Sequence, residues 1–270
     1  MTILQAVVLG IVQGLTEFLP ISSTAHLVLT PALLSWPLTP DEIFIFNILV
    51  QWGTLLAVVI YFWSDLLPIG RGLFRSLKPG APPDPDARLG WLLVLATLPA
   101  ILTGLLLRTP IEAALGNPRT TAYLLLGTAA LLVFAERVGR RSKAVADISS
   151  GDALLIGFFQ ALSLLPGISR SGATISGGMA VNLGRPAAAR FAFLLSVPVM
   201  LGAGTLALLD LSRLPESASF TFVILVGSLA AALVGYAAIR WLLAYLAHGS
   251  LYPFAAYCAA ISLLSLYLLR

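Results

Sequence analysis

Apolar residues run almost without interruption through this chain, and the polar punctuation between them cuts it into membrane-sized pieces. Unbroken stretches fall at about residues 43–63, 88–108, 119–138, 187–209, 218–240 and 250–269. A helical crossing needs about 20 apolar residues, so each stretch predicts a transmembrane helix. Two further apolar regions, about 1–35 and 151–183, are interrupted midway by polar residues, proline and glycine. Each predicts a helix, a loop and a second helix.

Composition fits this reading. Hydrophobic residues make up 59% of the chain and charged residues 10%, and the mean hydropathy is +0.95. These values belong to an integral membrane protein, and the connections leave no room for a soluble domain. The formal charge of +4 gathers in a few loops, so it reports orientation, and nucleic acid is not an expected partner. Arg71, Arg75, Lys78 and Arg88 follow the first span, and Arg137, Arg140, Arg141 and Lys143 follow the third. Both clusters predict cytoplasmic sides. No Lys or Arg precedes Arg71, so the first segment does not read as a cleaved signal and is expected to stay in the mature protein. Cys258 is the sole cysteine; it excludes an internal disulfide and reads as packing.

The two interruptions resemble each other. Gly10, Gln13, Leu15, Ile21 and Ser22 match Gly157, Gln160, Leu162, Ile168 and Ser169, with a slip of one residue around Pro20 and Pro166. The chain therefore reads as one membrane domain built from two repeats, about 1–145 and 151–270. Three spans per repeat place the second copy upside down relative to the first. The predicted fold class is an all-α polytopic membrane protein with two inverted-topology repeats, each a re-entrant helix-loop-helix hairpin plus three transmembrane helices. Inverted repeats with broken helices place their site where the breaks meet, and irregular backbone at that depth has to be buried in protein or face water.

The interruptions also carry the chemistry. Glu17 is an ionisable residue in an apolar stretch, which marks a functional site by default. Gln13 lies one helical turn before it on the same face, and together they offer oxygen ligands to a hard cation such as Mg²⁺ or Ca²⁺. Past the break come Ser22, Ser23, Thr24 and His26. An imidazole beside hydroxyls suits activation of a nucleophile. In the second copy Ser169, Arg170, Ser171 and Thr174 open a helix of small residues. A helix N-terminus and an arginine fork both favour phosphate. A structural reading, in which the serines cap helices and Arg170 neutralises Glu17, stands beside the functional one.

The strings Gln13-Gly-Leu-Thr-Glu17-Phe-Leu-Pro20-Ile-Ser22-Ser23-Thr24-Ala-His26 and Leu165-Pro166-Gly167-Ile-Ser169-Arg170-Ser171-Gly172-Ala-Thr174 resemble the two signature motifs of the undecaprenyl-diphosphatase, or bacitracin-resistance, family. The likeness extends through Phe46, Asn47 and Gln51 and through Arg190–Pro198 to essentially the whole chain. It implies a phosphatase that hydrolyses undecaprenyl diphosphate to the monophosphate and so recycles the carrier of cell-wall polymers. It also implies a multi-pass protein of the bacterial inner membrane, a site open to the outer, periplasmic face, and dependence on a divalent cation. Carried over by position, Glu17, Ser23, His26 and Arg170 become catalytic, Ser22, Thr24, Ser169, Ser171 and Thr174 bind substrate, and Glu17 with Gln13 holds the metal. Some members have Glu at the position of Gln13, so the amide ranks below Glu17. Ser23 assisted by His26, His26 itself, or water remains as nucleophile. A different class of function fits the same architecture: a lipid-phosphate flippase or anion transporter. Small-residue tracts at Gly202–Gly204 and Gly227–Ala231 permit close helix contact, within one chain or in a homodimer.

Overall fold

The computed structural model describes residues 1–107, 117–211 and 218–269. Within them the chain forms helices α1 (Ile3–Phe18), α2 (Ser23–Leu33), α3 (Pro40–Tyr61), α4 (Trp63–Ser76), α5 (Pro85–Leu106), α6 (Pro118–Val138), α7 (Ser150–Leu162), α8 (Arg170–Ala180), α9 (Arg185–Leu211), α10 (Ala218–Leu246) and α11 (Tyr252–Leu268). Polar side chains start several of them where the apolar runs begin, whereas α4 and α11 begin after Phe62 and Leu251 without a side-chain cap. Thr2 and Gln5 form a capping box on α1, Asp84 caps α5 ahead of Pro85, and Ser149 with Asp152 boxes α7. Each cap satisfies amide groups that a helix start leaves open, a debt that lipid cannot settle.

Among the described residues four helices are long and apolar enough to cross a membrane: Pro85–Leu106, Pro118–Val138, Arg185–Thr205 and Thr221–Leu246. A fifth span is obtained when α3 and α4 are taken as one broken element, bent by 85° at Phe62. The sequence predicts six. The difference lies at both kinds of margin. The stretch at 43–63 is a helix that turns sharply into α4, and the stretch at 250–269 becomes α11, only 17 residues long. The interrupted regions break as expected, at residues 19–22 between α1 and α2 and at 163–169 between α7 and α8. Residue 108, the end of one predicted span, lies outside the described residues.

Several helix pairs recur when α1–α6 and α7–α11 are exchanged, although α2 packs on α6 with no comparable packing of α8 on α11 among the described residues. α1 packs on α10 as α7 packs on α5, while α6 pairs with α11 and α3 with α9. The glycines that begin the two similar strings explain the first pairing. A Cβ on Gly10 would stand 2.2 Å from the Gly227 carbonyl oxygen of α10, and one on Gly157 would stand 2.5 Å from the Ala96 oxygen of α5. Backbone meets backbone at both places, which in a membrane is how dispersion contacts are gained. The Gly227–Ala231 tract is thus used within the chain.

Candidate active site

The break after α1 ends one helix at Phe18 and starts the next at Ser23, with Ser22 held at φ 72°. This left-handed residue turns the chain sharply, and its hydroxyl caps α2 by accepting from the Ala25 amide at 3.3 Å. The second break is tighter still. Gly167 has φ +107°, and a Cβ there would stand 2.3 Å from the Thr121 carbonyl oxygen of α6. Only glycine makes this turn without strain. Thr128 on α6 then locks it, donating to the Gly167 oxygen at 2.9 Å and accepting from the Ser169 amide at 2.9 Å.

The two breaks meet at Glu17. Its Oε1 accepts from Arg170 at the first turn of α8, the two residues being 153 positions apart in the chain. Its Oε2 accepts from Gln13 Nε2 at 2.9 Å and from the Ser23 hydroxyl at 2.6 Å. Gln13 Nε2 also reaches Thr54 Oγ1 on α3 at 3.3 Å. Ser171 closes the junction from the other side, donating to the Leu19 carbonyl at 3.1 Å. Glu17 is only 7% exposed. A carboxylate so buried is tolerable because a counter-charge and further donors surround it. The junction is therefore a packed polar cluster, held shut by the Arg170–Glu17 ion pair between the two broken regions.

His26 stands at the edge of this cluster. Its Nδ1 lies 2.8 Å from the Ser22 carbonyl and its Nε2 lies 2.9 Å from the Tyr257 hydroxyl on α11. A carbonyl only accepts, so Nδ1 carries a proton, and in that tautomer of the neutral ring Nε2 is the acceptor for the Tyr257 hydroxyl. The rings are nearly parallel, at 7°. The hydroxyl of Ser23 points at Glu17 and not at His26, so within hydrogen-bond reach its proton acceptor is the carboxylate.

Of the remaining residues that the sequence singles out, Ser169 caps α8 through the Gly172 amide at 3.0 Å and lies 3.1 Å from the Ser171 hydroxyl. Thr174 sits one turn deeper and donates to the Arg170 carbonyl at 2.8 Å. Thr24 is partly buried on the first turn of α2. Cys258 is buried, its sulfur 3.8 Å from the Pro20 carbonyl. Three neighbours of the site were not singled out in the sequence: Thr54, Thr128 and Tyr257. Their hydroxyls lie outside the paired strings, and only the fold brings them in.

Among the described residues no three His, Cys, Asp or Glu side chains gather to hold a metal. Glu17 and the Gln13 side-chain oxygen, which is buried without a hydrogen-bond partner, form a sparser oxygen set. That fits Mg²⁺, which is commonly held by one or two carboxylates together with substrate phosphates.

A polytopic helical membrane protein that joins a carboxylate, a serine and an arginine at two broken helices has the parts of a membrane-embedded phosphoryl-transfer site. The family model described as bacitracin resistance protein BacA matches residues 6–264, and the chain belongs to that family. It is 43% identical to an undecaprenyl-diphosphatase of Chlorobium phaeobacteroides, covering 97% of this chain and 95% of the relative. It is 46% identical to one of Anaeromyxobacter dehalogenans, covering 94% and 87%. It is 42% identical to one of Moorella thermoacetica, covering 95% and 94%.

Proposed function

We propose that this protein hydrolyses undecaprenyl diphosphate to undecaprenyl phosphate and inorganic phosphate, an activity that recycles the carrier lipid of the cell wall and confers bacitracin resistance. The observation that carries the mechanism is the short hydrogen bond from Ser23 to Glu17, with Arg170 on the other carboxylate oxygen.

Arg170 leaves Glu17 for the terminal phosphate as the substrate enters, exchanging one anion for another of higher charge. The freed carboxylate then takes the Ser23 proton. The serine oxygen attacks the terminal phosphorus, the bridging P–O bond breaks, and undecaprenyl phosphate leaves with the bond's electrons. Water next attacks the phosphoserine; phosphate departs, and Ser23 recovers its proton through Glu17. Phosphoryl transfer needs mostly positioning and charge stabilisation, which Arg170 and the amides at the start of α8 supply. His26, fixed in one tautomer by Ser22 and Tyr257, moves a proton at Nε2 for the attacking water. Glu17 and Gln13 would hold a divalent cation, which would supply charge neutralisation on the diphosphate. Ser22, Thr24, Ser169, Ser171 and Thr174 line or brace the substrate's end of the site.

The two similar strings and the recurring helix pairs support inverted repeats over about 1–145 and 151–270. The basic clusters support placement of those loops in the cytoplasm; membership of the family supports an inner-membrane protein with the site open to the periplasm. Purified protein in detergent has no compartments to transport between, so phosphate release there tests hydrolysis directly. Steady release from undecaprenyl diphosphate with Mg²⁺ or Ca²⁺ is expected. Lipid binding without release would favour a flippase or anion transporter instead.

A further inference from the structure

Helix α4 has 14 residues, Asp65, Arg71 and Arg75 among them, so it is too short to cross a membrane alone, and it turns away from α3 by 85°. If α3 crosses the bilayer, α4 lies along its surface. One side is spoken for, because Ile69 and Gly72 are buried and the helix packs on α5. The remainder splits into two adjacent stripes at helical spacing. Trp63, Leu67 and Phe74 form an apolar stripe, extended by Leu77 just past the helix end; Trp63 is 58% exposed and Phe74 77%. Arg71 and Arg75, followed by Lys78, form a basic stripe next to it, and all three are exposed. Arg75 is bridged to Asp84 at 2.9 Å. Arg71 and Lys78 have no acidic partner among the described residues.

A water-facing helix would not leave Trp63, Leu67 and Phe74 bare on one flank. A lipid-buried helix would not carry two free cations beside them. Aromatic and aliphatic groups at the acyl boundary with Lys and Arg at headgroup level are what an interfacial helix presents. We propose that α4 is an in-plane anchor that binds anionic phospholipid headgroups through Arg71 and Lys78, with Trp63 and Phe74 seated in the acyl layer. The charge of the stripe selects an anionic headgroup over a zwitterionic one. The proposal rests on the orientation above only for the leaflet, which is the cytoplasmic one.

Quenching of tryptophan by brominated lipids tests it without reference to catalysis. The chain is reconstituted in vesicles carrying brominated phosphatidylglycerol in phosphatidylcholine, or brominated phosphatidylcholine in phosphatidylglycerol, at equal mole fraction. The Trp63 contribution is the difference between the parent and Trp63→Phe. Stronger quenching by the brominated anionic lipid is expected. In Arg71→Gln/Lys78→Gln the preference should fall by roughly fivefold per cation removed, the usual gain of one basic residue beside an anionic surface. Phosphate release in detergent should stay at the parent's level in that variant. Raising the ionic strength should weaken the parent's preference without any substitution. Equal quenching by the two lipids, a preference indifferent to charge and salt, or quenching by neither lipid would each overturn the proposal. None of these results bears on hydrolysis, whose failure would appear in the detergent assay alone.

Discussion

Replacing Glu17 by Gln keeps an oxygen for the Ser23 hydroxyl but removes the charge opposite Arg170. The guanidinium, whose side chain is 17% exposed, then loses its counter-ion within a largely buried cluster. Removing one partner of a buried pair costs about 3–5 kcal/mol, and the partial exposure of Arg170 places this case near the low end, about 3 kcal/mol. At roughly 2–4 °C per kcal/mol for a chain of this size, Tm in detergent should drop by roughly 6–12 °C. Phosphate release should fall by about 100-fold or more, because the proton acceptor for Ser23 is gone. Adding Arg170→Gln removes the stranded cation. The double variant should recover about 2 kcal/mol of stability relative to the sum of the single losses, yet remain inactive. Tryptophan fluorescence on heating and phosphate release, measured on the same four proteins, check both halves. A double variant as unstable as the summed singles would mean that the pair is not formed. One that regains activity would mean that Glu17 and Arg170 serve only each other.

Gly167→Ala forces a Cβ against the Thr121 oxygen in a left-handed turn, so a loss of about 1–3 kcal/mol is expected together with a fall in kcat as Arg170 shifts. Thr128→Val removes the bridge between Gly167 and Ser169; about 2 kcal/mol should be lost on thermal unfolding, since two buried backbone groups lose their partner. Tyr257→Phe deletes one neutral hydrogen bond to His26 and should lower kcat by roughly threefold to tenfold with KM little changed. Glu136→Ala, far from the cluster, strands Arg141 and Arg185 and frees the Leu251 amide. It should cost about 3–5 kcal/mol while the folded fraction keeps the parent's kcat, as read from Tm and from activity per folded protein.

The broken hairpins were legible in the sequence because proline, glycine and a serine run interrupt otherwise continuous apolar stretches. The meeting of Glu17 with Arg170 was legible too, since a carboxylate and an arginine at membrane depth each require a partner. Helix α4 was not legible as a helix. Its basic residues read as a loop, and its stripes stand out only once the bend at Phe62 and the packing on α5 assign it a buried side. Thr54, Thr128 and Tyr257 were hidden for another reason: a hydroxyl in an apolar helix carries no signal until the neighbouring element is known. Glu136 had a signal that went unread. It sits at the end of an apolar run and obeys the same rule as Glu17, with Arg141, Arg185 and the Leu251 amide gathered round it.

Initial rates of phosphate release from undecaprenyl diphosphate, measured in detergent on the parent, Glu17→Ala, His26→Ala and Arg170→Ala with and without chelator, bear most directly on the proposal that both broken helices act on one diphosphate. The parent should turn over only with the cation present, and each variant should lose most of that rate. A parent that releases no phosphate, or a variant of either half that keeps full activity, would contradict it.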